Sequence, residues 1–546
     1  MVKMTSAQAI VECMKRENVK HVFCVPGESY LPLMDAIYEE KDIELISNRH
    51  EGGAAFMAEG YGKTSNKPAV VMATRGVGAA NLSIGIHTAY QDSTPMVIFL
   101  GQVHTKFRGR EGFQEMELDR FLEQVTKWGV EIRDPERTPE LVQRAFRIAQ
   151  TGRPGPVVVS LPEDVLPKVA DMNFAAGTQV PKPALSKEQT EEILFYLKKA
   201  ERPVIIAGGG VKLSDGEEAL QSFIEKTNIP VVASFRRHDV LSNDHPMYCG
   251  QLGLGTPSSQ IETVRQADVI LAVGTRLSEV TTQDYSLINP EQTLIHLDIE
   301  ANVLGKVYPP ALGLVADAKT AFDSLNKEVE VWDSSRWSSW TKERKEVFIQ
   351  SSRMDEIEEA PWSIGYKEVI QAFNELCPKE AIITNDAGNF ATWLQNFHSF
   401  TGKKSYAAPT SGAMGYGFPA GVGAKIAYPE RPVVVFAGDG GFMMTLQEIE
   451  TAVRNHIPVI VLLFNNSSYG TIRMHQERVY PDRVIGTELS DVNYTKLAEA
   501  MGAIGVTADS AESFRSAFKE ALRENERPII IEMKMNPKQV SIGMIL

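Results

Sequence analysis

Two polar clusters, each of which ends a run of β-branched and aromatic residues, could do chemistry together. Asp439 lies in VVVFAGDGGF and Asn466 in VIVLLFNNSSYG, and a segment with helical periodicity separates them. This is the pattern of one βαβ unit: a strand, a glycine-flanked carboxylate, a helix, a second strand and an amide. Such a unit places both polar groups at the carboxyl ends of parallel strands. Gly438, Gly440 and Gly441 let main-chain N–H groups approach an anion there. A carboxylate beside a phosphate suits a hard divalent cation, so the pattern predicts a Mg²⁺-diphosphate site.

Each fragment alone has a simpler structural explanation. Gly-Asp-Gly is often only a turn, and Asn-Asn after a strand often only caps the next element. Glu51, in SNRHEGGAAFMAEGYG, lies where a strand passes into a helix, and alone it is better explained by the helix dipole. Phe113 and Gln114, in an isolated FQE, indicate little by themselves. The clusters at Asp439 and Asn466 are informative together, because the number of residues between them is that of one strand–helix unit.

Alternating apolar strands and helical segments indicate the elements that must position these residues. They predict an α/β fold with three doubly wound parallel-sheet domains, at 1–170, 188–330 and 360–546. The segment 171–187 and the charged, tryptophan-containing segment 327–361 are interpreted as linkers, the second with a helix. In the middle domain, the glycines at 208–210 and Asp298 could form a dinucleotide-binding crevice. Because GxGxxG is absent there, a tight turn explains the glycines equally well.

Composition excludes several other classes of function. A chain of 546 residues with 43% hydrophobic residues is too long for a single core. Its net charge of −14 argues against a nucleic-acid surface, and no apolar run is long enough to span a membrane. The four cysteines are scattered and contain no CxxC, which favours buried thiols over disulfides or zinc. We therefore expect a cytoplasmic protein with no nucleic-acid or membrane partner.

Taken together, the motifs resemble the thiamine diphosphate-dependent enzymes, specifically the acetohydroxyacid synthase (acetolactate synthase) branch. GDGGF…NNSSYG, RHEGGAA, GFQE and SGAMGYGFPAG carry the likeness, which covers essentially the whole chain. The resemblance implies a pyrimidine-binding, a middle and a pyrophosphate-binding domain in that order. It also implies a thiamine diphosphate- and Mg²⁺-dependent lyase or carboligase, which decarboxylates a 2-oxo acid such as pyruvate and ligates the remainder to an acceptor.

The resemblance further assigns roles to individual residues. The implied cofactor-binding residues are Pro26, Gly27, Glu51, Gly388, Asn389, Gly412, Met414, Gly438, Asp439, Gly440, Gly441, Asn466, Ser468 and Tyr469. The implied Mg²⁺ ligands are Asp439, Asn466 and the main-chain carbonyl of Ser468. The catalytic candidates are Glu51, Gln114 and His475, and the substrate candidates are Glu28, Phe113, Gln114 and His475. Glu51 is expected to come from the neighbouring subunit, which implies a homodimer or homotetramer with active sites at the subunit interface.

The chain departs from the synthase pattern in ways that concern the substrate more than the cofactor. His475 replaces a tryptophan, Glu28 replaces a glycine, the stretch 251–255 replaces Met-His-Gly, and the C-terminal lid is curtailed. His475 could be an acid or base or only a ring that lines the pocket. A non-ligating decarboxylase, a flavin-linked oxidase and an acyltransferase therefore stay open, with an inactive cofactor-binding protein as a remote alternative. Whether FAD occupies the middle domain is also open.

Overall fold

The computed structural model describes residues 2–546, and three six-stranded parallel sheets form its framework. The continuous apolar runs of the sequence form buried strands, as expected for sheets covered by helices on both faces. The prediction of an α/β fold with three parallel-sheet domains is confirmed. Each sheet lies inside one of the predicted ranges, whose exact limits stay predictions. No helix within residues 2–546 is both long and apolar enough to cross a membrane.

The first domain contains the N-terminal sheet and a small antiparallel pair. Its strands are β1 (Val2–Thr5), β2 (His21–Cys24), β3 (Glu44–Ser47), β4 (Ala69–Thr74), β5 (Met96–Gln102), β6 (Trp128–Glu131), β7 (Pro156–Pro162) and β8 (Val169–Met172). Its helices are α1 (Ser6–Arg16), α2 (Leu31–Tyr38), α3 (Glu51–Ser65), α4 (Arg75–Asp92), α5 (Leu118–Phe121) and α6 (Thr138–Gln150). The parallel sheet has the order β3-β2-β4-β5-β7-β6, while β1 pairs with β8.

The second domain repeats this architecture with a different strand order. Its strands are β9 (Pro203–Ala207), β10 (Val231–Ala233), β11 (Tyr248–Gln251), β12 (Val269–Val273), β13 (Thr293–Asp298) and β14 (Leu312–Val315). Its helices are α7 (Lys187–Lys199), α8 (Gly209–Leu213), α9 (Glu217–Thr227), α10 (Ser258–Arg265), α11 (Ala318–Glu328) and α12 (Ser338–Ser351). The sheet has the order β11-β10-β9-β12-β13-β14.

The third domain holds both polar clusters from which the sequence analysis began. Its strands are β15 (Ile382–Asn385), β16 (Tyr406–Ala407), β17 (Val433–Gly438), β18 (Ile460–Asn465), β19 (Ile504–Ala508), β20 (Ile529–Lys534), β21 (Gln539–Ser541) and β22 (Met544–Ile545). Its helices are α13 (Tyr366–Leu376), α14 (Phe390–Phe397), α15 (Gly417–Ala427), α16 (Asp439–Thr445), α17 (Glu448–Arg454), α18 (Gly470–Val479), α19 (Tyr494–Ala500) and α20 (Ala511–Ala521). In the order β16-β15-β17-β18-β20-β19, strands β17 and β18 are neighbours.

The segment 327–361, interpreted as a linker with a helix, contains the helix α12, and this helix packs against the core of the second domain. Trp337 and Trp340, at the start of α12, are buried in the core of the second domain. The indole N–H of Trp337 donates to the carbonyl of Thr227 at 3.0 Å. Lys342, Glu343 and Glu346 lie on the exposed face of the helix, while the two tryptophans fix it to the core.

The first and third domains pack closely through α3 and α15. A Cβ atom at Gly423 would lie 2.0 Å from the carbonyl oxygen of Met57, so the two helices meet only because glycine is present. A buried charge cluster then joins all three domains, because the carboxylate of Asp92 accepts from Lys63, Arg237 and the main-chain N–H of Thr410. These contacts fix the orientation of the helices that begin at the candidate site.

Candidate active site

A cavity of about 240 Å³ lies at the carboxyl ends of β15, β17 and β18. Every cofactor-binding residue predicted in the third domain lines it: Gly388, Asn389, Gly412, Met414, Gly438, Asp439, Gly440, Gly441, Asn466, Ser468 and Tyr469. The walls are completed by Tyr366, Phe390, Phe464, Thr471, Ile472 and Val540, among others. The cavity therefore combines an apolar wall with a polar, glycine-rich floor.

Asp439 occupies the floor of the cavity because β17 ends at Gly438 and α16 begins at the aspartate. Burial raises the pKa of its carboxyl to about 6, although the main-chain N–H groups of Gly440, Asn466 and Ser467 act in the opposite direction. A nearby cation would favour the ionised form of this carboxyl.

Asn466 faces Asp439 from the end of the adjacent strand β18. Its side-chain oxygen accepts from the N–H of Ser468 at 3.2 Å, and the Ser468 hydroxyl donates to the carbonyl of Thr487 at 2.9 Å. Among residues 2–546, no group of three or more His, Cys, Asp and Glu side chains could hold a metal. A cation here would use carboxylate, amide and main-chain carbonyl oxygens, which is the hard donor set that Mg²⁺ prefers.

Steric contact explains why a residue in the floor of the cavity must be glycine. A Cβ atom at Gly440 would lie 2.6 Å from Cε1 of Tyr469, closer than non-bonded carbon atoms can approach. Both residues line the cavity, so the floor is open to an anion while the tyrosine ring closes one side. The residues present thus fit a diphosphate with its Mg²⁺.

Asp386 is a residue of this region that sequence reasoning missed. It follows β15, is almost completely buried, and accepts from the N–H groups of Ala387 at 2.7 Å and Gly415 at 2.9 Å. Burial raises the pKa of its carboxyl to about 7. Asp386 holds the turn after Met414 against the loop that contains Gly388. A carboxylate at the end of an apolar strand, in AIITNDAGN, was the signal that could have found it.

The C-terminal segment forms part of the cavity wall. Strands β21 and β22 make a hairpin, and Val540 in β21 lines the cavity. The side-chain amide of Asn389 donates to the Val540 carbonyl, while its oxygen accepts from the hydroxyl of Thr471 at 3.1 Å. The C-terminal segment therefore contributes Val540 to the wall of the cavity.

The catalytic candidate Glu51 lies in the first domain, outside this cavity of its own chain. It is the first residue of α3, whose start is capped by the His50 ring accepting from the N–H of Gly52 at 3.0 Å. The side-chain amide of Asn81 donates to its carboxylate at 2.9 Å. The first contact fixes the start of α3, and the second fixes the direction of the Glu51 side chain.

The remaining first-domain candidates gather around the start of α4. Pro26, Gly27 and Glu28 follow β2, and the carboxylate of Glu28 lies 3.3 Å from the guanidinium of Arg75. The main-chain carbonyl of Gln114 accepts from the N–H of Gly76 at 3.1 Å, which brings the loop of Phe113 and Gln114 to the same edge. The predicted residues thus form two groups, one in each of two domains: Pro26, Gly27, Glu28, Glu51, Phe113 and Gln114 in the first, and the cavity residues in the third.

Comparison with known proteins identifies this arrangement. In chain order, the sequence matches the N-terminal TPP binding domain of thiamine pyrophosphate enzymes over residues 4–121, their central domain over 190–325, and their C-terminal TPP binding domain over 386–533. It is 34% identical to the probable acetolactate synthase large subunit of Methanocaldococcus jannaschii, over 98% of this chain and 93% of the relative. The chain belongs to the thiamine pyrophosphate enzyme family.

Other relatives support the same branch of the family. The acetolactate synthase large subunit of Lactococcus lactis is 32% identical over 99% of this chain and 94% of the relative. The mitochondrial catalytic subunit from Saccharomyces cerevisiae is 30% identical over 100% of this chain and 82% of the relative. The predicted acetolactate synthase-like carboligase class and the thiamine diphosphate cofactor are therefore confirmed, thiamine pyrophosphate being the same compound.

One substrate candidate of this thiamine pyrophosphate enzyme lies apart from the others. His475 is exposed on α18, whereas Thr471 and Ile472, at the start of the same helix, line the cavity. Its role stays a prediction.

A separate cavity of about 400 Å³ lies at the carboxyl ends of the second domain's strands, and residues of the first domain complete its wall. Gly209, Gly210 and Asp298 line it, together with the cationic side chains of Arg153 and Arg276. Burial raises the pKa of Asp298 above its ordinary value. Two of the three glycines singled out in the sequence, Gly209 and Gly210, thus line one cavity with Asp298.

Proposed function

We propose that the protein is a Mg²⁺- and thiamine diphosphate-dependent carboligase that decarboxylates a 2-oxo acid and joins the remaining acyl unit to an acceptor. Acetolactate formation from two molecules of pyruvate is the leading reaction. The observation that carries the proposal is the third-domain cavity, which Asp439, Asn466 and a run of glycines line together.

In this proposal, Asp439, Asn466 and the carbonyl of Ser468 hold Mg²⁺. Gly388, Asn389, Gly440 and Gly441 would hold the diphosphate, and Gly412 and Met414 would hold the aminopyrimidine. Burial of the Asp439 carboxyl supports this assignment, since a nearby cation would favour its ionised form. Thiamine diphosphate supplies the electron sink that a 2-oxo acid needs in order to lose CO₂.

The side chains of the first domain would handle protons and orient the substrate. Glu51 would hold or release a proton beside the aminopyrimidine of the bound cofactor, and Asn81 positions its carboxylate through the 2.9 Å hydrogen bond. Gln114, whose loop contacts the start of α4, would donate from its side-chain amide N–H to a substrate oxygen or carboxylate.

We further propose that two copies of the chain complete each site, in a homodimer or homotetramer. Glu51 and the Asp439 cavity are separate within one chain, so a second copy must bring them together. Exposed apolar residues beside both groups support this assembly: Val77 and Ile84 on one face of α4, and Met443 and Met444 on α16.

For the second-domain cavity we propose a nucleotide ligand, with FAD as the candidate. Its two glycines would admit a phosphate, and Arg153 and Arg276 would neutralise it. A yellow purified protein that produces peroxide would favour a flavin-linked oxidase. Aldehyde as the sole product from a colourless protein would favour a decarboxylase.

The four cysteines support a cytoplasmic location. Cys13, Cys24, Cys249 and Cys377 are all free thiols, as expected in a reducing compartment.

The deciding experiment is product analysis across a panel of 2-oxo acids with Mg²⁺ and thiamine diphosphate. Pyruvate should release CO₂ and yield acetoin after acid treatment of the product. The same reaction without Mg²⁺, after chelation, is the control. If no member of the panel is turned over, with or without added aldehydes, the proposed function is wrong.

A further inference from the structure

Glu532 is a buried acid in the third domain, one strand away from the predicted metal ligands. It lies in β20, which pairs with β18, and β18 ends directly before Asn466. Only 1% of its surface is exposed to solvent. Glutamate is almost never buried to this extent unless other groups pair with it. The contacts of Glu532 therefore indicate what it does.

The carboxylate of Glu532 binds the last side chain of the neighbouring strand. Its Oε1 atom accepts from the side-chain amide of Asn465 at 2.7 Å, and the ammonium group of Lys534 lies 2.9 Å from the same atom. An ionised carboxylate offers acceptors only, so it binds the NH₂ end of the amide and not the oxygen end. Glu532 thereby determines which way round the buried Asn465 side chain lies.

This orientation directs the Asn465 oxygen at the turn that carries two predicted metal ligands. The oxygen accepts from the main-chain N–H of Ser467 at 3.1 Å. Ser467 has a φ of +52°, a left-handed conformation that a serine keeps only with support from its surroundings. Its neighbours on either side are Asn466 and Ser468. A reversed Asn465 amide would place an NH₂ group against the Ser467 N–H, so that two donors would face each other.

A second support holds the outer side of the same turn. The N–H of Leu489 donates to the carbonyl of Ser467 at 2.8 Å, and the N–H of Tyr469 donates to the carbonyl of Thr487 at 2.9 Å. These bonds do not depend on the direction of the Asn465 amide. Loss of Glu532 should therefore leave the turn folded and change the direction of its oxygen ligands.

We propose that Glu532 is a positioning residue for the Mg²⁺ site, which acts through Asn465 and the N–H of Ser467 on the ligands at 466 and 468. It touches neither the metal nor the cofactor. This rests on the proposed function, in which Asn466 and the Ser468 carbonyl hold Mg²⁺. Replacing a residue that orients metal ligands typically lowers metal affinity by roughly 10- to 100-fold.

The experiment measures metal binding itself, with Mn²⁺ as the probe, detected by electron paramagnetic resonance in the presence of thiamine diphosphate. Glu532→Ala should weaken Mn²⁺ binding roughly 10- to 100-fold. Asp491→Asn is the matched control, because Asp491 binds the same Lys534 ammonium group but is 78% exposed. This control should change Mn²⁺ binding by less than about twofold. In the apo-protein, the Ser467 amide should exchange hydrogen faster in Glu532→Ala than in the control.

Two double variants separate an effect through Asn465 from a general loss of packing. Asn465→Ala should weaken Mn²⁺ binding as much as Glu532→Ala, and the two changes together should weaken it no further, because both break one chain of contacts. Asn465→Asp combined with Glu532→Gln keeps the total charge and reverses the donor and acceptor. The new glutamine then donates to the new aspartate, which still accepts from Ser467, so Mn²⁺ binding should return to within about threefold of wild type.

The outcomes distinguish this proposal from the proposed function. If the wild-type protein binds Mn²⁺ and Glu532→Ala binds it equally well, the positioning role is overturned while the metal site stands. Additive losses in the two alanine variants, or no recovery in the exchanged pair, would also overturn it. If the wild-type protein binds no Mn²⁺, the metal site of the proposed function fails, and the positioning role fails with it. Should Glu532→Ala not fold, Asn465→Ala and the exchanged pair decide.

Discussion

Substitution of Glu448 tests how the contact between the first and third domains positions the catalytic candidate Glu51. Although it lies on α17 of the third domain, its carboxylate accepts from the N–H groups of Arg49 and His50 at 3.2 and 3.1 Å. It also accepts from the side chains of Asn48 at 2.9 Å and Thr451 at 2.7 Å. Glu448 is fully buried, and α3 begins immediately after the residues that it binds.

Removing this carboxylate leaves several buried donors without an acceptor. Each such donor costs about 1–3 kcal/mol, and water entering the vacated space recovers part of this, so Glu448→Ala should cost about 3–5 kcal/mol. Glu448→Gln should cost only about 1 kcal/mol. It keeps one acceptor oxygen, and Asn48, whose side-chain oxygen has no partner, can turn to accept from the new amide.

The matched control is Glu450→Ala on the same helix. Glu450 makes only partly exposed ion pairs with Arg49 and Arg454, so its loss should change stability by less than about 1 kcal/mol. Urea unfolding of the apo-protein gives the stability differences. Hydrogen exchange of residues 44–57 reports local opening of the start of α3. Equal stability and equal exchange in Glu448→Ala and Glu450→Ala would refute this account of the domain contact.

Three further predictions concern the site itself. Glu51→Gln should still bind cofactor but slow deprotonation at thiazolium C2 by orders of magnitude, and near-normal exchange measured by NMR would remove Glu51 from its assigned role. Gly440→Ala should abolish cofactor binding measured by calorimetry, because its Cβ would lie 2.6 Å from the Tyr469 ring; wild-type affinity would show that the floor is not used. His475→Trp should shift the product spectrum if the exposed ring reaches the acceptor in the assembled enzyme, and an unchanged spectrum would place His475 outside the site.

The sequence predicts the parts of this enzyme that depend on local pattern. Asp439 and Asn466 could be placed together because each directly follows an apolar strand, and the structure makes those strands neighbours. The three-domain fold follows from the same alternation of strands and helices.

Contacts between distant segments could not be predicted in this way. The role of Asp386 depends on its hydrogen bond with Gly415. The role of Glu448 depends on hydrogen bonds with residues about 400 positions earlier in the chain. Trp337 and Trp340 could not be assigned to the core because the charged residues around them dominate the local pattern. Arg75 is similar: its setting depends on Glu28 and Glu163, which lie on two other loops.

The central claim is that Glu51 of one copy and the Asp439 cavity of another form one site around thiamine diphosphate. Subunit complementation tests it directly, using Glu51→Gln and Asp439→Asn, each inactive alone. After mixing and verified subunit exchange, half of the dimers contain both variants, and each of these has one intact site. Thiazolium C2 exchange should therefore recover to about a quarter of the wild-type rate. A mixture no more active than either variant alone would contradict the claim.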